Sequence, residues 1–187
     1  EEPFTALGRP RLAALITAGN LDSMLNEKTA AKKFRSTDNY SPGGIAGKRP
    51  ERATIVYANR MREAYKDVPI IIGGIEASLR RFAHYDYWSD KVRHSILLDS
   101  KADFLSYGMG EHSVVEIADA LAEGKTVAEM YHIRGICYVT SRPPISEKTV
   151  LCPSYEEVME DKKAFASACK IQSEEQAPFY GRTIIQP

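Results

Sequence analysis

Cysteine is scarce in this sequence, and its spacing does not match a metal site. The 187 residues contain three cysteines, Cys137, Cys152 and Cys169. An odd and sparse set favours a reducing compartment over a disulfide framework, and no Cys-x2-Cys, His-x-His or His-Glu-x2-His pattern occurs. We therefore predict a cytoplasmic location, no disulfide, and no metal site built from this chain alone.

Neither sign of charge dominates, and no long apolar run is present. Lys plus Arg is 25 and Asp plus Glu is 25, so the formal net charge is zero, which argues against a general nucleic-acid coat. No apolar run approaches the roughly 20 residues that span a bilayer, and the acidic N-terminus does not resemble a signal peptide. We expect a soluble globular protein that does not bind membranes. The start at Glu1 and the end at Pro187 are typical of a piece of a longer protein.

Short apolar segments alternate with helical patterns along the chain. Buried strands are expected at 11–17, 68–72, 102–107 and 135–140, with a shorter one at 95–98. Helices are expected at 50–66, 114–123 and 154–172, the last behind a Ser154–Glu157 capping box. This alternation predicts an α/β fold, a Rossmann-like doubly wound, mainly parallel sheet with helices on both faces. We assign 1–150 to this domain and 151–187 to a C-terminal helix and a linker or arm beginning near Ser173.

Glycines follow three of the predicted strands. Ligands of open parallel sheets bind beyond the carboxyl ends of the strands, where glycine lets a ligand approach the backbone. The glycines are Gly19, Gly73, Gly74, Gly108 and Gly110, and the polar candidates near them are Asn20, Asp22, Glu76 and Glu111. The alternative is that such turns need glycine for their own geometry. No dinucleotide or Walker motif is present.

The segment 80–90 is the chemically richest part of the chain. It holds two arginines, one histidine, the single tryptophan and two aspartates. Arg80 suits a carboxylate or phosphate, and His84 near Asp86 suits acid–base chemistry. The alternative is structural, since Tyr and Trp often dock loops on a core and Arg–Asp pairs hold them there.

Charge is uneven along the chain. The first 60 residues carry 10 basic and 6 acidic side chains, and the last 76 carry 8 and 11. A basic patch for an anionic substrate or RNA is one interpretation, and a solvated helix face is the other. Few aromatic residues interleave the lysines, so nucleic acid is not the favoured partner.

The segments GRPRLAALITAGNLDSMLNEKTAAKKFRSTDNYSPGGIAGKRPERA and VPIIIGGIEASLRRFAHYDYWSDKVRHSILLDSKADFLSYGMGE resemble the N-terminal region of the YgiQ (UPF0313-type) family of radical S-adenosylmethionine proteins. The resemblance runs from Gly8 to Gly124 and continues more weakly to APFYGRTIIQP. It implies a following catalytic domain, the partner of this one. There a Cys-x3-Cys-x2-Cys motif holds a 4Fe-4S cluster that cleaves S-adenosylmethionine to a 5′-deoxyadenosyl radical. This chain lacks that motif.

A second, looser resemblance is to the cobalamin-binding-like domains that precede many radical S-adenosylmethionine domains. VPIIIGGIEAS, ADFLSYGMGEHSVVEIADALAEG and GICYV are similar to their strand and turn segments. The Asp-x-His-x2-Gly motif that supplies a cobalt ligand in those domains has no counterpart here. We expect no cobalamin and no other cofactor in this piece.

The family implies an enzyme as the full-length protein, with this piece inactive alone. We expect the domain to bind substrate or to help close the active site, and not to be the radical source. Two alternatives remain open. One is a non-catalytic binding module for an RNA or protein substrate. The other is a structural platform that docks the catalytic domain, which an exposed apolar surface would favour.

Overall fold

The structure is a computed structural model that describes residues 2–177 and 179–187. The chain divides into two compact units. The first comprises the described residues up to Arg81 together with Ser95–Val139, and the second comprises Phe82–His94 and Thr140–Pro187. The domain boundary predicted at residue 150 stays a prediction. Pro178, in the predicted linker, lies outside the described residues.

Helices and short strands alternate through both units. The helices are α1 (Glu2–Thr5), α2 (Ser23–Glu27), α3 (Ala53–Ala64), α4 (Gly74–Leu79), α5 (Ile96–Ser100), α6 (Glu111–Ala122), α7 (Tyr155–Glu160) and α8 (Lys162–Glu174). The strands are β1 (Ala14–Ile16), β2 (Ile70–Ile72), β3 (His84–Asp86), β4 (Lys91–Arg93), β5 (Phe104–Ser106), β6 (Ile136–Cys137), β7 (Thr149–Leu151) and β8 (Thr183–Ile185). Turns of 3-10 helix occupy Pro42–Gly44 and Val127–Met130.

A four-stranded sheet forms the centre of the first unit. Its strand order is β1-β2-β5-β6. The first three strands are parallel, with Ala14 beside Ile70 and Ile72 beside Leu105, and β6 runs antiparallel to β5. The α/β class and the mainly parallel sheet predicted from the sequence are confirmed.

Helices pack against both faces of this sheet. Because strand side chains alternate in direction, Ile70 and Ile72 point to one face and Ile71 points to the other. The first face packs against side chains of α3, α4 and α5, namely Ala58, Ala77, Ile96 and Leu97. The second face packs, through Ile71 and Phe104, against α6 and the turn after it, namely Ile117, Ala120, Met130 and Ile133. Burial on both faces explains why β2 and β5 are continuous apolar runs.

Two local predictions were wrong. The segment 95–98, expected as a strand, begins the helix α5, because the Ser95 hydroxyl caps it by accepting a hydrogen bond from the Leu97 amide at 3.3 Å. The single helix expected at 154–172 is two helices, since Asp161 adopts an extended conformation (φ −121°, ψ 120°) and its side chain caps α8. The Ser154–Glu157 capping box is confirmed.

The second unit is built from a hairpin and a parallel strand pair. β3 and β4 pair antiparallel, and β7 pairs with β8 in parallel across the α7–α8 crossover. Its core includes Ala83 from the start of the hairpin, with Cys152, Val158 and Ala168. β8 lies inside the stretch that the sequence predicted as a linker or arm. Within the described residues, no helix is long and apolar enough to cross a membrane.

Candidate functional site

The turns that follow β1, β2 and β5 meet at the carboxyl edge of the sheet. Gly74 adopts φ +80°, and an added Cβ there would clash with the Thr17 hydroxyl at the end of β1. The Ser78 hydroxyl donates to the Gly74 carbonyl at 2.8 Å and accepts from the Gly108 amide at 3.2 Å. The three glycine turns are therefore neighbours, and Ser78 joins the second turn to the third.

Close packing also explains two further glycines of these turns. An added Cβ on Gly73 would lie 3.3 Å from the Ser106 carbonyl oxygen. An added Cβ on Gly110 would clash with the Ser106 hydroxyl, which itself bonds the Ser113 hydroxyl at 2.8 Å. These glycines thus have a packing reason, and backbone approach to a ligand at the same positions stays a prediction.

The Glu76 carboxylate ties together two helix N-termini behind these turns. Its side chain is 1% exposed. Oε2 accepts a hydrogen bond from the Ser23 amide of α2 at 2.7 Å, and Oε1 accepts one from the Thr54 amide of α3 at 3.0 Å. A buried carboxylate needs such partners, and amides at helix N-termini attract negative charge.

Asp22 and Arg80 extend the same network. Asp22 Oδ1 caps α2 by accepting from the Met24 amide at 2.9 Å. Its Oδ2 forms a close ion pair with Arg80 Nη1, which also donates to the Glu76 carbonyl oxygen at 3.1 Å. The structure thus brings three predicted site residues together and gives each a partner within the protein. Their contact with a substrate stays a prediction.

The other predicted residues are placed differently. Asn20 lies on the turn after β1 and Glu111 is the first residue of α6, and both are exposed. His84 and Asp86 lie on β3 in the second unit, where His84 Nδ1 is 3.1 Å from the Phe82 carbonyl oxygen. The buried Asp86 carboxylate accepts a hydrogen bond from the Ser89 hydroxyl at 2.5 Å.

The second unit also holds a perturbed tyrosine beside the predicted histidine. The Tyr85 hydroxyl makes a close hydrogen bond to the Asp90 carboxylate. This bond, with a smaller contribution from desolvation, raises the pKa of Tyr85 above its ordinary value. The phenol therefore stays a neutral donor, and the bond fixes the loop between β3 and β4.

Exposed apolar side chains lie in or next to two of the glycine turns, a feature that the sequence did not lead us to expect. Ile75 and Leu79 lie on α4, and Met109 lies in the turn between β5 and α6. Met109 is 89% exposed and Leu79 is 62% exposed. The sequence does contain a sign of this feature. Large apolar residues stand inside or beside glycine turns, where polar residues are usual. We call these three residues the apolar rim.

Several side chains of the basic first third are bound within the chain. Lys28 forms an ion pair with Glu51. Arg49 donates to the Ala18 carbonyl at 2.9 Å, and Arg35 donates to the Leu25 carbonyl at 3.2 Å. The ion pair offsets the charge of Lys28, and the two hydrogen bonds occupy guanidinium donors that an anion would otherwise use.

A small pocket lies beside these basic residues. It is lined by Asn26, Glu27 and Asp38, among others. Burial, and secondarily the nearby Glu51 charge, raises the pKa of Glu27 above its ordinary value. Hydrogen bonds, first from the Ser41 hydroxyl, lower the pKa of Asp38 to about 2. The pocket has a volume of about 10 Å³, which is room for one water molecule.

Comparison with known proteins gives one family. The Radical SAM N-terminal family model matches residues 1–187. The chain belongs to this family. It is similar to UPF0313 proteins of Clostridium perfringens (55% identical over 99% of this chain), Clostridium botulinum (51% over 99%) and Methanocella arvoryzae (50% over 98%). No solved structure matches it significantly.

The chain is the N-terminal part of a larger protein. It spans 28% of the Clostridium perfringens relative, 29% of the Clostridium botulinum relative and 31% of the Methanocella arvoryzae relative. Radical SAM proteins use a 4Fe-4S cluster and S-adenosylmethionine, so the family implies both for the full-length protein.

The side chains of this domain do not fit the cluster. In the described part of the chain, no three or more His, Cys, Asp or Glu side chains are grouped so that they could hold a metal ion. Desolvation raises the pKa of the Cys137 thiol to about 12 and that of the Cys152 thiol to about 11. We therefore derive no step through the cluster from this domain.

Proposed function

We propose that this domain is an accessory part of a radical SAM enzyme. It closes the active site of the catalytic part that follows and contributes contacts to the substrate. The catalytic part supplies the cluster, the S-adenosylmethionine site and the radical. This domain supplies a rigid surface, the carboxyl edge of its parallel sheet, which contacts the catalytic part and the substrate.

The apolar rim is the observation that carries the proposal. It lies at the sheet edge where α/β proteins bind their ligands. Exposed apolar side chains that cluster at such an edge favour contact with another surface rather than with water.

The buried network behind the rim gives this surface its rigidity. Glu76 holds the starts of α2 and α3, while Arg80 and Asp22 fix the end of α4 to the start of α2. In this proposal these three are positioning residues. The exposed Asn20 and Glu111 are the polar substrate contacts. His84 and Asp86 are also proposed as substrate contacts, because an imidazole and a carboxylate suit acid–base chemistry.

The test replaces one rim residue in the full-length protein. Met109→Asp places a charge at the rim, and we expect roughly a tenfold or greater loss of reductant-dependent 5′-deoxyadenosine release, because closure positions the reactants. Iron content and S-adenosylmethionine binding should stay unchanged, since the variant alters no residue of the catalytic part.

The matched control is Leu98→Asp. Leu98 is an apolar residue on α5 that is 50% exposed and lies outside the glycine turns. It should retain 5′-deoxyadenosine release. Equal release by the two variants, or a loss in both, would rule out a specific role of the rim in closure.

A further inference from the structure

One part of the central sheet has no cover. On the second face, α6 and the turn after it lie over β2 and β5. Leu15, the β1 side chain between the first-face residues Ala14 and Ile16, is 61% exposed. On α6, Val114 borders the same surface as Leu15, and the next residue, Val115, is 58% exposed. A doubly wound sheet normally carries helices across the whole of both faces.

The uncovered strip forms a groove between β1 and α6. Its lining is apolar for the most part and includes Leu15 and Ile16 of β1, Ile71 and Ile72 of β2, and Val114 of α6. Its volume is about 160 Å³, close to that of a cavity that holds one benzene molecule. The groove therefore has room for one large aliphatic or aromatic side chain.

The shape of the groove favours a helix as the missing cover. Its floor is a sheet face and not a strand edge, so its occupant packs on side chains and does not extend the hydrogen-bonded sheet. One wall is α6, and helices that share a sheet face lie about 10 Å apart. A helix beside α6 would cover Leu15.

We infer that an amphipathic helix from the part of the longer protein beyond residue 187 packs into this groove. The Clostridium perfringens relative has 72% of its length outside the match, from 100% minus the matched 28%. A segment of the same chain is present at a high effective concentration, which favours it over a second copy. This inference requires only that the rest of the protein packs on this domain, and it holds whether or not the domain closes an active site.

The experiment is photo-cross-linking in the full-length protein. p-Benzoylphenylalanine is introduced at position 15 in place of Leu15, and at position 98 in a control protein. We expect the position-15 probe to give an intramolecular cross-link to one peptide beyond residue 187. The position-98 probe should not label that peptide. Isotopically labelled and unlabelled chains, mixed before irradiation, separate intramolecular from intermolecular products.

The p-benzoylphenylalanine probe could itself prevent the helix from packing into the groove. Hydroxyl-radical footprinting of the unmodified full-length protein avoids this problem. Leu15 is more exposed than Leu98 in this domain (61% against 50%). An open groove would therefore let hydroxyl radicals oxidise Leu15 at least as fast as Leu98. We expect most of the Leu15 oxidation to be lost while Leu98 oxidation is kept.

The outcomes are distinct. A cross-link between two chains, a cross-link confined to residues 1–187, or full oxidation of Leu15 would overturn the inference. If Met109→Asp releases 5′-deoxyadenosine as well as Leu98→Asp does, and the expected cross-link forms, active-site closure is rejected and the packed helix is retained. The reverse result would keep closure and reject the helix.

Discussion

The buried Glu76 carboxylate offers a sharp test of how this domain holds its turns. Glu76→Gln keeps the shape of the side chain but replaces one acceptor oxygen by an NH2 group. That group then faces the amide of Ser23 or of Thr54, so one charge-assisted hydrogen bond is lost and one buried N–H is left without a partner.

The expected magnitude follows from these two losses. A hydrogen bond to a charged group contributes about 1.5–3 kcal/mol, and an orphaned buried N–H costs about 1–3 kcal/mol. Removal of a buried charge relieves part of its desolvation cost. We therefore expect a net loss of about 2–4 kcal/mol in the local stability at the starts of α2 and α3.

Amide hydrogen exchange measures this loss at the place where it occurs. At about 1.36 kcal/mol per factor of ten, exchange of the Ser23 or Thr54 amide should accelerate about 30- to 1000-fold. Glu111→Gln is the control, because the exposed Glu111 should change local stability by less than about 0.5 kcal/mol. Unchanged exchange of both amides in the Glu76 variant would refute the reasoning.

Three further predictions concern glycine geometry, thiol reactivity and acid stability. Gly74→Ala should destabilise the domain more than Gly8→Ala: both have φ near +80°, but only the Gly74 variant adds a clash, worth about 1–3 kcal/mol in urea unfolding. A thiol reagent at pH 7 should modify the exposed Cys169 readily and the partly buried Cys137 only after unfolding, and equal rates would contradict this. The lowered pKa of Asp38 adds stability above about pH 4 that disappears as the pH falls through about 2, so Asp38→Asn should flatten the stability curve in that window.

The central sheet could be predicted from the sequence because its strands are buried on both faces. The run through Ile70–Ile72 is apolar at every position, and the glycines after it mark the turn at its end. The segment at 95–98 failed because a short apolar run fits a strand and a helix equally well. The cap by the Ser95 hydroxyl favours the helix α5.

The strand β8 and the polar network depend on contacts between distant parts of the chain. β8 forms by pairing with β7 across two helices, so this strand depends on a partner that is distant in the sequence. The acids after the strands were identified as a group, but their spacing could not show that Glu76 accepts hydrogen bonds from two helix N-termini. Nor could it show that Arg80 pairs with Asp22.

The interleaving of the two units has a consequence for synthesis on the ribosome. The hairpin at 82–94 is made in the middle of the first unit, but its core partners include Ala168 and Ile184, which are made much later. Domains generally fold as units while the chain emerges N-terminus first. The first unit can therefore complete its sheet once Val139 has emerged, whereas the hairpin waits with Ala83 uncovered until β8 is made. Slow translation between these points would lengthen that exposure and with it the chance of misassembly.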